Sequence, residues 1–346
     1  MPNLRLTILG AALAATLAGC GKGPVAVGAF AGIGEGTVFA PAARAARNVS
    51  LFTQPDAGVA PVLDAIRGAR KSVDLKVYIF TEQNVLGALK EAKARGVAVR
   101  VLMEREPFNP GNPGSGLPVN FAMAKSLKEA GITYRWTSDA FNFTHEKAMC
   151  IDNATAIIMT SNLTKGAFTK NREYGIIDRE PADAAGVAQV FAADWDQRPT
   201  QVVSKTLVVS PDNSRSQLSA LLESARKSIH VQDEVMGDPA TFELLGKKAR
   251  AGVDVRVQLG HLSGNADDDA KKALLAAGVT QVRVVSSPTM HAKMALVDGK
   301  QAYVGSINFT TNSIEKNREM GVIVDEPRTI ASLAATAEKD WAAGKP

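Results

Sequence analysis

The chain of 346 residues contains only two cysteines, Cys20 and Cys150, so at most one intramolecular disulfide bond can form. This scarcity excludes a small secreted scaffold held together by disulfides. Cys150 lies in an apolar run typical of a strand, which argues against a bridge to Cys20. Stability must therefore come from packing, and the apolar content of 45% is ordinary for a globular protein.

The N-terminal apolar run, from Leu6 to Leu17, is too short to span a bilayer and instead indicates a targeting segment. It follows Arg5 and ends in Leu17-Ala18-Gly19-Cys20, which resembles the bacterial lipobox. That resemblance implies a signal peptide over 1–19 and acylation of Cys20, which would anchor the protein to a membrane. An ordinary signal peptide cut near Cys20 is the alternative. Residues 20–47, rich in Gly and Ala, are predicted to form a flexible tether.

Aromatic residues make up only 5% of the chain, and neither sign of charge dominates. The 40 basic residues nearly balance the 35 acidic ones, leaving a formal net charge of +5. Such a mild excess suits a phosphate-bearing substrate but does not require nucleic acid. The length exceeds what one hydrophobic core usually supports, so two domains or two fused halves are expected.

An internal duplication divides the chain. Ala69-Arg70-Lys71-Ser72-Val73 returns as Ala225-Arg226-Lys227-Ser228-Ile229. Further along, a constant offset of 146 residues relates His145 to His291, Lys147 to Lys293, Asp152 to Asp298, Asn162 to Asn308, Asn171 to Asn317, Glu173 to Glu319 and Trp195 to Trp341. Each half contains a strand, helix, strand pattern that predicts an α/β fold with largely parallel strands. We place the halves at 48–200 and 201–346.

The chain has four histidines, and two of them begin the pattern His-x-Lys-x4-Asp, once in each half. In a strand, alternate side chains share a face, so each histidine should point with its lysine. Asp152 and Asp298 fall on the opposite face, which predicts a structural role for them. A histidine can serve as nucleophile or as general acid and base near neutral pH.

These duplicated motifs resemble the phospholipase D superfamily over roughly residues 50 to 345. The resemblance implies a duplicated α-β-α sandwich with two pseudo-symmetric halves and one shared active site. It also implies a phosphohistidine intermediate, with His145 as nucleophile and His291 as acid, and with Glu173 and Glu319 orienting the imidazoles. Phosphate oxygens are expected to contact Lys147, Lys293, Asn162, Asn308, Thr160 and Ser306. No metal or cofactor is expected, because the lysines supply the positive charge.

Other repeated or aromatic residues are predicted to be structural. Lys170-Asn171-Arg172 and Lys316-Asn317-Arg318 are interpreted as solvated turns, with a phosphate-attracting rim as the alternative. Phe141 and Phe143 fit either a substrate pocket or the core. His230 and His261 are expected to be structural, and Trp195 and Trp341 to pack on the last helix of each half.

The expected activity is hydrolysis of glycerophospholipid to phosphatidic acid and a free alcohol, since a lipid anchor would hold the enzyme beside that substrate. The alternatives are a secreted nuclease, a phosphatidyltransferase similar to cardiolipin synthase, and an inactive anion-binding member of the superfamily. We expect a monomer without an obligate protein partner, with phospholipid at a membrane surface as the substrate and nucleic acid as the alternative. Gly21 after the cysteine is not the aspartate that retains such lipoproteins at the inner membrane, so we expect the periplasmic side of an outer membrane rather than the inner membrane.

Overall fold

A computed structural model describes residues 48–108, 119–202, 204–261 and 266–345 of the chain. The predicted signal peptide, the lipidation site Cys20 and the tether therefore lie outside the described residues. Within the described ranges, no helix combines the length and apolar character needed to cross a membrane. Cys150 is a buried free thiol.

The first half alternates strands with helices along the chain. Its elements are β1 (Val49–Gln54), α1 (Ala60–Gly68), β2 (Ser72–Val77), α2 (Gln83–Ala94), β3 (Ala98–Met103), α3 (Asn120–Glu129), β4 (Thr133–Trp136), β5 (Lys147–Ile151), β6 (Thr155–Met159), α4 (Lys165–Thr169), β7 (Asn171–Asp178) and α5 (Pro181–Trp195). Proline in the first turn of α1 and of α5 suits a helix start, where its missing N–H has no partner to lose.

The second half repeats this order. Its elements are β8 (Leu207–Ser210), α6 (Ser214–Ser224), β9 (Ser228–Asp233), α7 (Pro239–Arg250), β10 (Asp254–Gly260), α8 (Ala266–Ala277), β11 (Gln281–Val285), β12 (Thr289–Met290), β13 (Lys293–Val297), β14 (Gln301–Gly305), α9 (Thr311–Glu315), β15 (Glu319–Val324) and α10 (Pro327–Ala343). The short helices α4 and α9 begin alike, with Thr164 and Thr310 each accepting a backbone N–H three residues on.

Each half forms one mixed sheet. The strand order is β1-β7-β6-β5-β2-β3-β4 in the first and β11-β10-β9-β13-β14-β15-β8 in the second. The predicted parallel pairing holds for β2, β3 and β4 and for β9, β10 and β11, which helices connect. It is wrong for the strands that carry the motifs. Tight turns join β5 to β6 and β13 to β14, and a tight turn makes consecutive strands antiparallel.

Two outer cores and one central core hold the layers together. Apolar residues of α1, α2 and α3 cover one face of the first sheet, and α6, α7 and α8 cover the second in the same way. The central core combines the inner faces of both sheets with α5 and α10. Strands β5 and β13 are buried at every position, as the apolar sequence on both of their faces predicts. The fold is the duplicated α-β-α sandwich.

The two motif aspartates lie in turns, directly after β5 and β13. Asp152 accepts backbone N–H groups from Arg70, Lys71 and Ser72 at 2.6 to 2.9 Å. Asp298 accepts those of Arg226, Lys227 and Ser228 at 2.7 to 3.0 Å. Each carboxylate therefore fixes the loop that enters the neighbouring strand of its own half.

Chain segments before each histidine cross to the opposite half. The backbone N–H of His145 donates to the Arg318 carbonyl at 2.9 Å, and Thr144 bridges to Arg318. Correspondingly, β12 pairs in parallel with Asn171 and Arg172 of β7, and the N–H of His291 donates to the Arg172 carbonyl at 3.2 Å. These crossings bring each histidine beside the glutamate that follows the arginine.

Candidate active site

Each motif histidine is paired with the glutamate of the other half. Nδ1 of His145 lies 2.8 Å from Glu319 Oε2, and Nδ1 of His291 lies 2.8 Å from Glu173 Oε1. Both glutamates are fully buried, whereas the histidine side chains keep 14% and 16% of their surface exposed. A carboxylate only accepts hydrogen bonds, so it holds the proton on Nδ1 and leaves Nε2 for chemistry.

The two lysines of the motifs are buried beside their histidines. Lys147 Nζ donates to the His145 carbonyl at 2.5 Å, and Lys293 Nζ donates to the His291 carbonyl at 2.6 Å. Burial lowers the pKa of Lys147 well below its ordinary value, and the charge of Lys293 lowers it further. The lysines of the two halves are therefore close enough for their charges to repel each other. An anion bound between them would stabilise both ammonium groups.

Two asparagines, Asn162 and Asn308, occupy equivalent places after the strand next to a motif strand. Among the residues that the structure describes, neither buried Oδ1 atom has a hydrogen-bond partner. An unpartnered buried amide is costly, so its recurrence at equivalent positions points to a group reserved for a ligand. These oxygens are acceptors, so they would receive a hydrogen bond from a ligand, and only the Nδ2 groups could donate to a phosphate oxygen. The phosphate contacts of Asn162 and Asn308 stay predictions.

Thr160 and Ser306 do not fit the phosphate contact predicted for them. Both are fully buried. The Thr160 hydroxyl donates to Glu173 Oε2 at 2.6 Å, and the Ser306 hydroxyl donates to the Met320 carbonyl at 3.3 Å. A hydroxyl has a single proton to donate, so neither has one left for a phosphate oxygen. Thr160 instead positions Glu173.

The repeated Lys-Asn-Arg segments are not the solvated turns that we predicted. Their arginines are buried and make bidentate ion pairs across the halves, Arg172 with Asp340 and Arg318 with Asp194. Their asparagines donate to the glutamates, Asn171 to Glu173 at 3.3 Å and Asn317 to Glu319 at 2.9 Å. Only the lysines are exposed. The repetition of Asp before each tryptophan was the signal for these ion pairs.

Among the predicted structural residues, His230 contacts Gln258 and lies edge-on to Trp341, and His261 contacts Asp267. Phe141 lies under the Arg318 guanidinium and Phe143 against Tyr78. Trp195 packs on Phe191 within α5. Within the described ranges, no group of three or more His, Cys, Asp or Glu side chains has an arrangement that could hold a metal ion.

The family model described as "Cardiolipin synthase, PLD-like domain" matches residues 62–195 and 218–341, which include both motifs. The chain belongs to this family. It is thus a member of the phospholipase D superfamily.

Similar proteins agree with this membership. Cardiolipin synthase 1 of Bacillus anthracis is 24% identical over 343 residues, which cover 84% of this chain and 66% of that protein. The chain thus spans slightly less than two thirds of that relative. A phospholipase D of Rickettsia bellii is 30% identical over 135 residues, covering 38% of this chain and 62% of that protein. The crystal structure of phosphatidylserine synthase from Haemophilus influenzae shares the fold, with a TM-score of 0.65, 11% identity and coverage of 87% and 88%.

The two halves of this phospholipase D superfamily member differ beside the motif lysines. Immediately after β2 the first half has Tyr78, whose ring lies edge-on to His145 at 4.6 Å and 5.0 Å from Lys147 Nζ. Immediately after β9 the second half has Glu234 instead. Its Oε2 lies 2.7 Å from Lys293 Nζ and 3.3 Å from His291 Nε2. Sequence analysis missed both residues, although the duplication aligns them.

The asymmetry changes the proton affinities in the site. Burial, assisted by the charge of Lys147, lowers the pKa of His145 to about 4, although Glu319 opposes this shift. Burial alone would raise the pKa of Glu234, yet His291 and Lys293 hold it at about 2. His145 is therefore neutral and Glu234 ionised across the physiological pH range.

Proposed function

We propose that this chain transfers a phosphatidyl group between alcohols through a phosphohistidine intermediate. The crossed pairing of His145 with Glu319 and of His291 with Glu173 supports this proposal above all. It supplies two imidazoles with oriented Nε2 atoms, and each motif also brings a lysine and each half an asparagine whose Nδ2 group can donate. A phosphodiester needs these components: a nucleophile, an acid and donors for the charged oxygens.

In the first step, His145 Nε2 attacks phosphorus and the bond to the leaving alcohol breaks, while His291 gives that oxygen a proton. In the second step, His291 takes a proton from the incoming hydroxyl, whose oxygen displaces His145 from phosphorus. Lys147, Lys293 and the two asparagine amides stabilise the non-bridging oxygens throughout. Water in place of the second alcohol gives hydrolysis by the same residues.

The similarity to cardiolipin synthases over 84% of the chain favours an alcohol acceptor over water. The expected hydrolysis to phosphatidic acid becomes the second candidate, supported by the shorter match to a phospholipase D. Both use glycerophospholipid as the donor. The modest net charge of +5 gives no separate support to a nuclease.

The decisive experiment incubates the purified chain with phosphatidylglycerol vesicles in EDTA, with plasmid DNA in a parallel tube. Two phosphatidylglycerols should give one cardiolipin and one glycerol, which thin-layer chromatography and a glycerol assay detect. EDTA should not inhibit, since the lysines provide the positive charge. His145→Ala is the matched control and should abolish product. Phosphatidic acid alone would establish hydrolysis, and nicked DNA with intact lipid would establish the nuclease.

The proposed location is the cell envelope, with an acyl anchor on Cys20. Labelled palmitate should be incorporated into the wild-type chain in bacteria, whereas Cys20→Ser should remove the label and release the protein from the membrane fraction. A wild-type protein that appears unlabelled and soluble would contradict the anchor without affecting the chemistry.

A further inference from the structure

Lys293 and Lys147 are equivalent by duplication, but only Lys293 has a carboxylate bound to its ammonium group among the described residues. Its partner is Oε2 of Glu234, at 2.7 Å. Lys147 Nζ instead lies over the ring of Tyr78. The two lysines therefore start the reaction in different states, one paired with an anion and the other without one.

The same oxygen of Glu234 also contacts the second catalytic atom, His291 Nε2, at 3.3 Å. In the proposed function, which this inference rests on, these two groups bind the substrate: Lys293 holds a non-bridging oxygen and His291 protonates the leaving oxygen. A single carboxylate oxygen of Glu234 therefore occupies both of the groups that the substrate would need.

The Glu234 side chain has room to move towards solvent. The Glu234 side chain keeps 27% of its surface exposed, while Lys293 keeps none. Glu173 and Glu319, which orient the histidines, are also fully buried. Glu234 is thus the one of these three carboxylates that can withdraw towards solvent without leaving a charge buried.

We infer that the Glu234 carboxylate occupies the phosphate site in the free protein. Substrate must displace this carboxylate from Lys293 and His291. After displacement its charge stays close to the bound phosphate and repels it. The repulsion grows with the charge of the ligand, so a doubly charged phosphomonoester or inorganic phosphate is disfavoured more than a singly charged phosphodiester. Glu234 is then a specificity-determining residue, which keeps free phosphate and monoesters from occupying the site.

Calorimetric titration of the full chain with inorganic phosphate at pH 8 tests this inference without turnover. Glu234→Gln keeps an oxygen for Lys293 but removes the charge, and should bind phosphate at least about tenfold more tightly than wild type. Glu243→Gln, which removes an exposed charge from α7 of the same half, should bind like wild type. The KM for bis(p-nitrophenyl) phosphate should also fall in Glu234→Gln, by a smaller factor.

Unchanged or weaker phosphate binding by folded Glu234→Gln would overturn the inference, even if the wild type makes cardiolipin. Tighter binding by Glu234→Gln together with no turnover of lipid or DNA by the wild type would keep the inference and overturn the proposed function. Thermal unfolding reports whether Glu234→Gln is folded. If it is not, Glu234→Tyr, which copies the first half, is judged by the same criterion.

Discussion

At the scale of single residues, the two histidines differ although their motifs are equivalent. In the described part of the chain, His145 contacts one carboxylate, at Nδ1, and the burial that lowers its pKa to about 4 keeps Nε2 unprotonated. His291 has carboxylates at both ring nitrogens, Glu173 and Glu234, an arrangement that suits two N–H donors. The environment therefore supports His145 as nucleophile and His291 as acid, the ranking that the family resemblance implies.

Alanine variants of the two histidines should separate these roles. An activated leaving group needs no proton, so His291→Ala should retain measurable turnover of a p-nitrophenyl phosphodiester and accumulate phosphorylated enzyme. His145→Ala should be inactive towards activated and ordinary substrates alike. Discontinuous assays measure turnover, and mass spectrometry of the intact chain detects the phosphorylated enzyme. A phosphoryl group found on His291 would reverse the assignment.

The pH dependence follows from the lowered pKa of His145. Protonation of Nε2 removes the nucleophile, so kcat/KM should fall only as pH drops towards about 4, well below the ordinary imidazole value of 6.5. A pH profile with the activated diester checks this, because that substrate does not need the acid. An acid limb centred at pH 6 or above would show that the pKa of His145 is not lowered in solution.

At the scale of elements, the turns after β5 and β13 anchor the loops before β2 and β9. Each aspartate has a positive φ, 55° for Asp152 and 52° for Asp298, which asparagine also tolerates. Its three backbone donors hold the pKa of each carboxylate below the ordinary value despite partial burial. The charged form is thus the one that the fold stabilises.

Asp298→Asn should lower the free energy of unfolding by roughly 1–2 kcal/mol, because a neutral amide accepts the three N–H groups less well. Asp152→Asn should lose a similar amount, since its contacts are equivalent. The loss should shrink as pH falls through the lowered carboxylate pKa, where wild type also loses the charge. Urea unfolding at pH 7 and pH 3 measures both effects, and Asp268→Asn, on α8, is the control. Equal stability of Asp298→Asn and wild type at pH 7 would contradict this account.

At the scale of the whole molecule, each histidine takes the glutamate at its Nδ1 from the opposite half. Glu319→Gln should therefore impair turnover in the same way as His145→Ala, including turnover of the activated diester. Glu173→Gln should resemble His291→Ala and spare that substrate. The losses should be smaller than for the histidine variants, because a glutamine still contacts Nδ1. Pairing within each half predicts the opposite pattern, so steady-state kinetics of the four variants distinguishes the two.

The sequence alone determined the duplication, the two motifs and the fold class. Constant offsets between His145 and His291, or Lys147 and Lys293, require no structure to detect. The structural role expected for Asp152 agrees with its backbone contacts, but strand alternation does not explain it, because His145 lies before β5 and Asp152 in the turn after it. The duplication and the motifs are local or repeated features, and local rules suffice for them.

Only the tertiary structure decided which glutamate serves which histidine, the burial of Arg172 and Arg318, and the place of Glu234. His145 and Glu319 are 174 positions apart, and their contact arises where the chain before each histidine docks on the opposite half. A repeat gives equivalent residues identical local signals, so it cannot distinguish pairing within a half from pairing between halves. Docking of the two sheets makes that choice, because it places each imidazole against the other half's buried carboxylate.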